Sequence, residues 1–444
     1  MIELKITPQV PARLEGHANT LNALIRIVAP SAPVTETEPR PPLNLALVLD
    51  RSSSMRGQPL HEAKRAADQI VAGLRPSDRL AIVAFDNATE VMFSGGPRGD
   101  GQAARAALSR IHARGMTALH DGWLLGVEQS IAMREAGTPA RVFLLSDGVA
   151  NVGLTDASAI AADCTRMAEH GITTSTCGLG MGFNEDLMAE MARAGRGNAY
   201  YGETAEDLQD PFEQEFDLLR NICARGLRLR LSAGAGVEMR VLNQYPERDG
   251  EVLLPDLAFD GEAWAMVELQ FDESDEQPGD RLLLSAEVTG QTPDGDAISD
   301  GPASLRLPRL PASAFDMITQ EEIVQARARE LRAADLQERA RLAARRHDWD
   351  QVQTLIDEAQ RESGENAWVA ESLGTLRELA ARRELEGFSK EAMYSSRAMR
   401  TRLGIAAFED ERIWNAETES AKPSYLRRKL AQGKRMQTRD KRQD

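Results

Sequence analysis

Residues 43–55 read LNLALVLDRSSSM. The run over 45–49 is unbroken and apolar, and it stops at Asp50, after which hydroxyls follow at Ser52 and Ser54. Such a run, bounded by polar residues, predicts a strand buried on both faces of a parallel sheet. The D-x-S-x-S stretch then falls in the loop at the carboxyl end of that strand, where open α/β sheets bind ligands. A carboxylate and two hydroxyls on one tight loop are compact, hard oxygen donors of the kind Mg²⁺ takes. The same three residues also suit a plainer task, capping the helix that follows.

Two further oxygen donors occupy similar places. Thr117 lies in G-M-T-A-L (115–119), just before a helical stretch. Asp147 ends a second apolar run, V-F-L-L-S-D-G (142–148). D-x-S-x-S, then G-x-T-x-L, then a strand ending S-D-G resembles the metal-ion-dependent adhesion site (MIDAS) of von Willebrand factor type A (VWA) domains. The resemblance covers residues 43–221, about two fifths of the chain. It implies that Ser52 and Ser54 ligate Mg²⁺ or Mn²⁺ through their hydroxyls. Asp50 and Asp147 carry the negative charge, binding directly or through water. Thr117 binds directly in one state and through water in another. One octahedral position is left for an Asp or Glu of a protein partner, so a metal-dependent protein-protein interaction module, an adaptor or scaffold, is expected. Two departures from the commonest pattern stand out. Ser53 replaces a frequent Gly and is expected to matter little. Arg51 adds a cation that either pairs with an incoming carboxylate or points into solvent.

Around this stretch the sequence reads as alternating strands and helices. Strands are expected at 79–85, 89–93 (short and edge-like), 142–147, 172–177 and 198–201. Helices are expected near 101–111, 119–134, 156–169, 184–194 and 206–221. An apolar stripe from Ala63 to Leu74 follows Pro59 at the first turn of a helix. The pattern predicts an α/β class domain with a doubly wound, mostly parallel sheet over 43–221. Asp50 and Asp147 would leave neighbouring central strands.

Before it, residues 1–34 read as two strands, the second with Leu21, Ala23, Ile25 and Ile27 on one face. Residues 29–42 read as an exposed linker. After it, from Gly226, the period changes to two, and 226–310 predicts a β-sandwich domain. It offers about six strands, few for a closed sandwich, so the amino-terminal strands are expected to complete it with the α/β domain inserted between. Residues 308–313 read as a linker. T-Q-E-E (319–322) reads as a capping box that opens a C-terminal α-helical region over 315–415. A basic tail over 422–444 carries nine Lys and Arg against two Asp and is expected to be disordered. The order of these parts is similar to intracellular bacterial VWA proteins, plant VWA ubiquitin ligases and, more distantly, inter-α-trypsin-inhibitor heavy chains. The Cys/His spacing of a RING is missing, so ligase activity is not implied.

The formal net charge of −16 argues against general nucleic-acid or membrane-surface binding. The amino terminus lacks a signal-peptide pattern, no run reaches a membrane-spanning length, and Cys164, Cys177 and Cys223 lack metal-ligand spacing. Reduced thiols and a cytoplasmic location are expected. His120 reads as an ordinary helix-start residue, and Asp86 with Asn87 as a turn. No P-loop and no G-x-S-x-G elbow is present. An aspartyl-nucleophile phosphatase would carry Asp where Ser52 stands. No enzyme is expected; the alternative is metal-assisted hydrolysis at Asp50 and Asp147.

Overall fold

The computed structural model describes residues 2–31, 42–97, 101–135, 138, 140–147, 149–180, 182–202, 219, 221–272, 280–363, 367–401 and 404–405. Two compact units divide the chain. One joins residues 1–35 to 222–407, and the other contains 36–221. The closing helix expected over 206–221 and the basic tail over 422–444 lie outside the described residues, apart from Leu219 and Asn221. Most of the 29–42 linker does too.

The chain opens with β1 (Glu3–Pro8), β2 (Arg13–Leu14) and β3 (Ala18–Val28). The α/β unit then supplies β4 (Asn44–Asp50), β5 (Arg79–Phe85), β6 (Thr89–Pro97), β7 (Ala140–Ser146), β8 (Ile172–Leu179) and β9 (Arg196–Gly202). They form one sheet in the order β6-β5-β4-β7-β8-β9. Every pairing is parallel except that of β5 with β6. β6 is longer than the stretch expected over 89–93, because antiparallel pairing with β5 continues to Pro97 opposite Arg79. All seven residues of β4 are buried, as are all seven of β7. That explains their unbroken apolar runs, since both faces are covered.

Strand order reverses between β4 and β7, so the crevice at their carboxyl ends is the switch point where such sheets hold ligands. Helix Leu119–Ala132 packs against these strands. A side chain at Gly126 would collide with Val48 Cγ2 at 2.4 Å, so glycine there permits close helix-to-sheet approach.

In the other unit, β1 pairs with β3, and β3 pairs with Gly261–Asp272 over its whole length, Ala18 to Val28. Strand Val237–Val241 completes that sheet on the far side. A second sheet is built from Ile222–Ala233, Arg281–Gln291 and Ala297–Leu307, with short strands at 247–248, 251–253 and 257–258. Ile25, Ile27, Ala263 and Ala265 from the first sheet share one core with Leu229, Leu284 and Val288 from the second. This is a β-sandwich.

The opposite face of the first sheet is also covered. Leu24, Trp264 and Met266 pack against Val324, Ala328 and Leu331 of the long helix Glu322–Arg345. That face of β3 carries Asn22, Leu24, Arg26 and Val28, and the apolar Leu24 among polar neighbours follows from this second layer. Helices Trp349–Ser363, Ala367–Ala381 and Leu385–Thr401 continue the helical region, with Val352, Leu373 and Phe388 in its core.

Two local expectations are corrected. Residues 308–313 are not a free linker. Arg309–Leu310 pairs in parallel with β2, and Ala312–Phe315 forms a helical turn. The capping box at 319–322 does not form either. The helix starts at Glu322 with Glu321 as its cap, and no side chain satisfies the first turn. Instead the Glu321 amide donates to the Gln9 carbonyl (2.9 Å). Tertiary pairing with the amino-terminal segment fixes this helix start.

Candidate metal site

Asp50 is the last residue of β4, and Asp147 directly follows β7. Asp50 is fully buried. Its Oδ1 accepts from the Ser52 amide at 2.7 Å, and its Oδ2 accepts from Ser146 Oγ. Ser52 Oγ lies 3.0 Å from Ser54 Oγ, which donates to Asp147 Oδ1 at 2.8 Å. Four of the five expected residues, Asp50, Ser52, Ser54 and Asp147, therefore form one hydrogen-bonded chain across the two strand ends.

Thr117 reaches this cluster through its loop. Gly115 adopts a left-handed conformation (φ 73°), and its carbonyl accepts from the Ser53 amide (3.1 Å) and Ser53 Oγ (2.8 Å). The Arg114 amide donates to the Arg51 carbonyl at 2.7 Å. Thr117 is buried; its amide donates to Asn151 Oδ1 (2.9 Å), and its carbonyl accepts from the Asn151 amide (3.1 Å). Three loops, after β4, before helix Leu119–Ala132 and after β7, are thus tied together by backbone bonds.

The family model of the von Willebrand factor type A domain matches residues 44–214. This segment is a VWA domain. The chain is 28% identical to the uncharacterized protein sll0103 of Synechocystis over 70% of its own length and 77% of that protein. It is 30% identical to human inter-alpha-trypsin inhibitor heavy chain H3 over 47% of its length, but spans only 24% of that relative. A solved von Willebrand factor type A protein from Catenulispora acidiphila superposes with a TM-score of 0.68, covering 88% of this chain and 96% of the other at 17% identity. The VWA2 paralog of ArnB from Sulfolobus acidocaldarius gives 0.59, covering 90% and 99% at 16% identity. At such identities the likeness concerns the fold, which in both cases extends well beyond the type A domain.

Within the VWA domain, Ser53 does more than expected. Its two bonds to Gly115 hold the Thr117 loop against D-x-S-x-S. Ser53→Ala should remove one of them, costing about 0.5–1.5 kcal/mol. Chemical denaturation measures this, and an unchanged midpoint would show that the amide bond alone holds the loop. Asn151 holds Thr117 as well; a lone Asn five residues past a strand carries no sequence pattern by which to find it.

Arg51 does not point into solvent, one of its two expected alternatives. It is buried (4% exposed). Its Nε donates to Asp86 Oδ2 at 2.8 Å, and its Nη1 to Glu90 Oε2 at 2.7 Å. Asp86 is more than a turn residue. It is buried and also accepts from Arg114 Nε and the Ala88 amide, each at 2.8 Å. A carboxylate this far from the D-x-S-x-S motif in sequence becomes its neighbour only because β5 pairs with β4. His120 is likewise engaged, its Nε2 lying 3.0 Å from Asp163 Oδ2.

With Arg51 committed to Asp86 and Glu90, neither Asp50 nor Asp147 has a cationic side chain as partner among the described residues. Burial, opposed by bonds from Ser146 and Ser52, pushes the Asp50 carboxyl up to about 6. Burial also raises Asp147, against the bond from Ser54. A buried carboxyl at Asp50 and a half-buried one at Asp147, with hydroxyls beside them and no side-chain cation, fit a small divalent ion that would supply the missing charge. Among the described residues no three His, Cys, Asp or Glu side chains gather to hold a metal by themselves. The expected donor set, two carboxylates and three hydroxyls, is all oxygen, as Mg²⁺ tolerates and a thiolate-preferring metal does not. All three cysteines are free thiols, and burial raises each. Among the described residues no helix is long and apolar enough to cross a membrane.

Proposed function

We propose that the chain is a metal-dependent protein-binding module, an adaptor rather than an enzyme. VWA domains generally mediate protein-protein interaction. In this chain Asp50, Ser52, Ser54, Thr117 and Asp147 would hold Mg²⁺ or Mn²⁺, leaving one position for an Asp or Glu of a partner protein. The bound ion supplies Lewis acidity toward that carboxylate. The protein's own residues supply shape and charge: Asp50 and Asp147 balance the ion, and the hydroxyls donate weakly enough to leave it attractive to a third carboxylate. The observation that carries this reading is the joined carboxylate–hydroxyl cluster at the switch point, with its nearest cation turned away. Apolar residues border it: Met116, beside Thr117, and Val149, two residues after Asp147, are each about half exposed. They offer contact area around a central polar anchor. The free thiols support a reducing, cytoplasmic setting.

Calorimetry with Mg²⁺ tests the metal. Asp147→Ala should lower affinity by more than about tenfold while leaving the fold intact. Equal binding in both proteins would remove the site. Partner capture should vanish with chelator. Because the chain is strongly acidic, long-range charge opposes an acidic partner. Capture should therefore strengthen modestly as salt rises, since screening weakens distant repulsion more than the short metal contact. Capture that persists in chelator would place the contact elsewhere.

A further inference from the structure

Beside the metal cluster, at the ends of β5 and β6, lies a cleft of about 400 Å³ lined by Arg51, Glu90, Met92, Arg110, His112 and Arg114 among others. We infer that this cleft is a second acid-binding subsite, which takes another carboxylate of the same partner segment that presents Asp or Glu to the metal. The inference rests on the proposed metal contact for its first anchor, but not for the second.

Three observations carry it. First, the cleft is cationic although the chain is acidic. Arg51, Arg110 and Arg114 outnumber Asp86 and Glu90, and His112 adds a further nitrogen donor. Second, Arg51 is buried yet keeps one terminal nitrogen, Nη2, without a hydrogen-bond partner. A buried guanidinium donor left unpaired is costly unless something takes its bond. Third, the cleft already holds one carboxylate. Glu90, half exposed, receives Arg51 Nη1 at 2.7 Å and lies 3.7 Å from Arg114 Nη2. An acid of the partner would share or replace that contact.

One excess positive charge suits a singly charged carboxylate better than a phosphate dianion. The two anchors lie on adjoining loops, the Arg114 amide donating to the Arg51 carbonyl at 2.7 Å. Arg51 stands between the ligands Asp50 and Ser52, and Arg114 is three residues before Thr117. A segment with two acids a few residues apart spans them.

Fluorescence anisotropy on the full chain tests this with two labelled glycine–serine peptides, one carrying a single Glu and one carrying two Glu a few residues apart. In Mg²⁺ the two-Glu peptide should bind about tenfold more tightly, the size of one charge-assisted hydrogen-bond set. R110A/H112A should abolish that advantage and leave single-Glu binding unchanged. Glu90→Gln, which removes the resident competitor, should enlarge it. An advantage that survives in R110A/H112A overturns the subsite while leaving the metal reading intact. If neither peptide distinguishes Mg²⁺ from chelator, the metal reading fails. The subsite is then decided in chelator alone: tighter two-Glu binding by the parent than by R110A/H112A supports it, and equal binding overturns it.

Discussion

A chain lacking residues 1–31 should lose the sandwich and keep the VWA domain. β3 is an interior strand, bonded to β1 on one side and to Gly261–Asp272 on the other. Its removal exposes Ala263, Ala265 and Val267 on one face and Trp264 and Met266 on the other, all now fully buried. The deleted side chains include Ile2, Leu4, Leu21, Leu24, Ile25 and Ile27, each at most 7% exposed. At roughly 1.5–3 kcal/mol per side chain, the loss is on the order of 10 kcal/mol, comparable to the whole stability of about 5–15 kcal/mol of a typical domain. The strand left behind would also present an unpaired edge, an aggregation hazard. No strand of the α/β sheet pairs with residues 2–31, so that sheet should stand. Limited proteolysis should leave a resistant fragment spanning the type A domain and digest the rest. A truncated chain that melts like the full one would refute the expectation.

Arg51→Met should destabilise the VWA domain by about 1.5–3 kcal/mol, because it removes one of the two cations bonded to buried Asp86, which keeps Arg114 and the Ala88 amide. The structure makes Arg51 a brace between strand ends rather than a surface cation. Were it the ordinary surface pair its place in a loop suggests, the cost would stay below about 1 kcal/mol. Acid should shrink the difference. Burial alone would raise the Asp86 carboxyl, but bonds from Arg114, the Ala88 amide and Arg51 outweigh it and hold the group below the usual carboxylate range. A depressed carboxyl contributes stability above its unfolded pKa and loses it as pH falls through the folded value. Parent and variant should therefore differ most near neutrality and converge in strong acid. Denaturant midpoints at several pH values measure this; a pH-independent gap would mean that lost packing, not charge, sets the cost.

The sheet was legible because its strands are buried on both faces. Residues 45–49 and 142–145 have no polar interruption, and only a covered parallel strand uses such a run. The ends of these strands located Asp50 and Asp147, and the local hydroxyls followed from the motif itself. Period-two alternation likewise marked the sandwich strands, and the stranded amino terminus demanded a sheet to join.

What tertiary structure alone decided is of one kind: contacts whose partners lie far apart in sequence and follow no period. The register of β3 against Gly261–Asp272 bridges more than two hundred residues. At the start of helix Glu322–Arg345 the cap residue's amide bonds to the Gln9 carbonyl, and its side chain makes no capping bond. The role of Arg51 is the sharpest case. Its neighbours in sequence are oxygen donors, which suggested a charge facing ligand or water. Its neighbours in space are Asp86 and Glu90, delivered by β5 and β6. A buried guanidinium goes where carboxylates compensate its lost hydration, and only the pairing of β5 with β4 and of β6 with β5 puts carboxylates there.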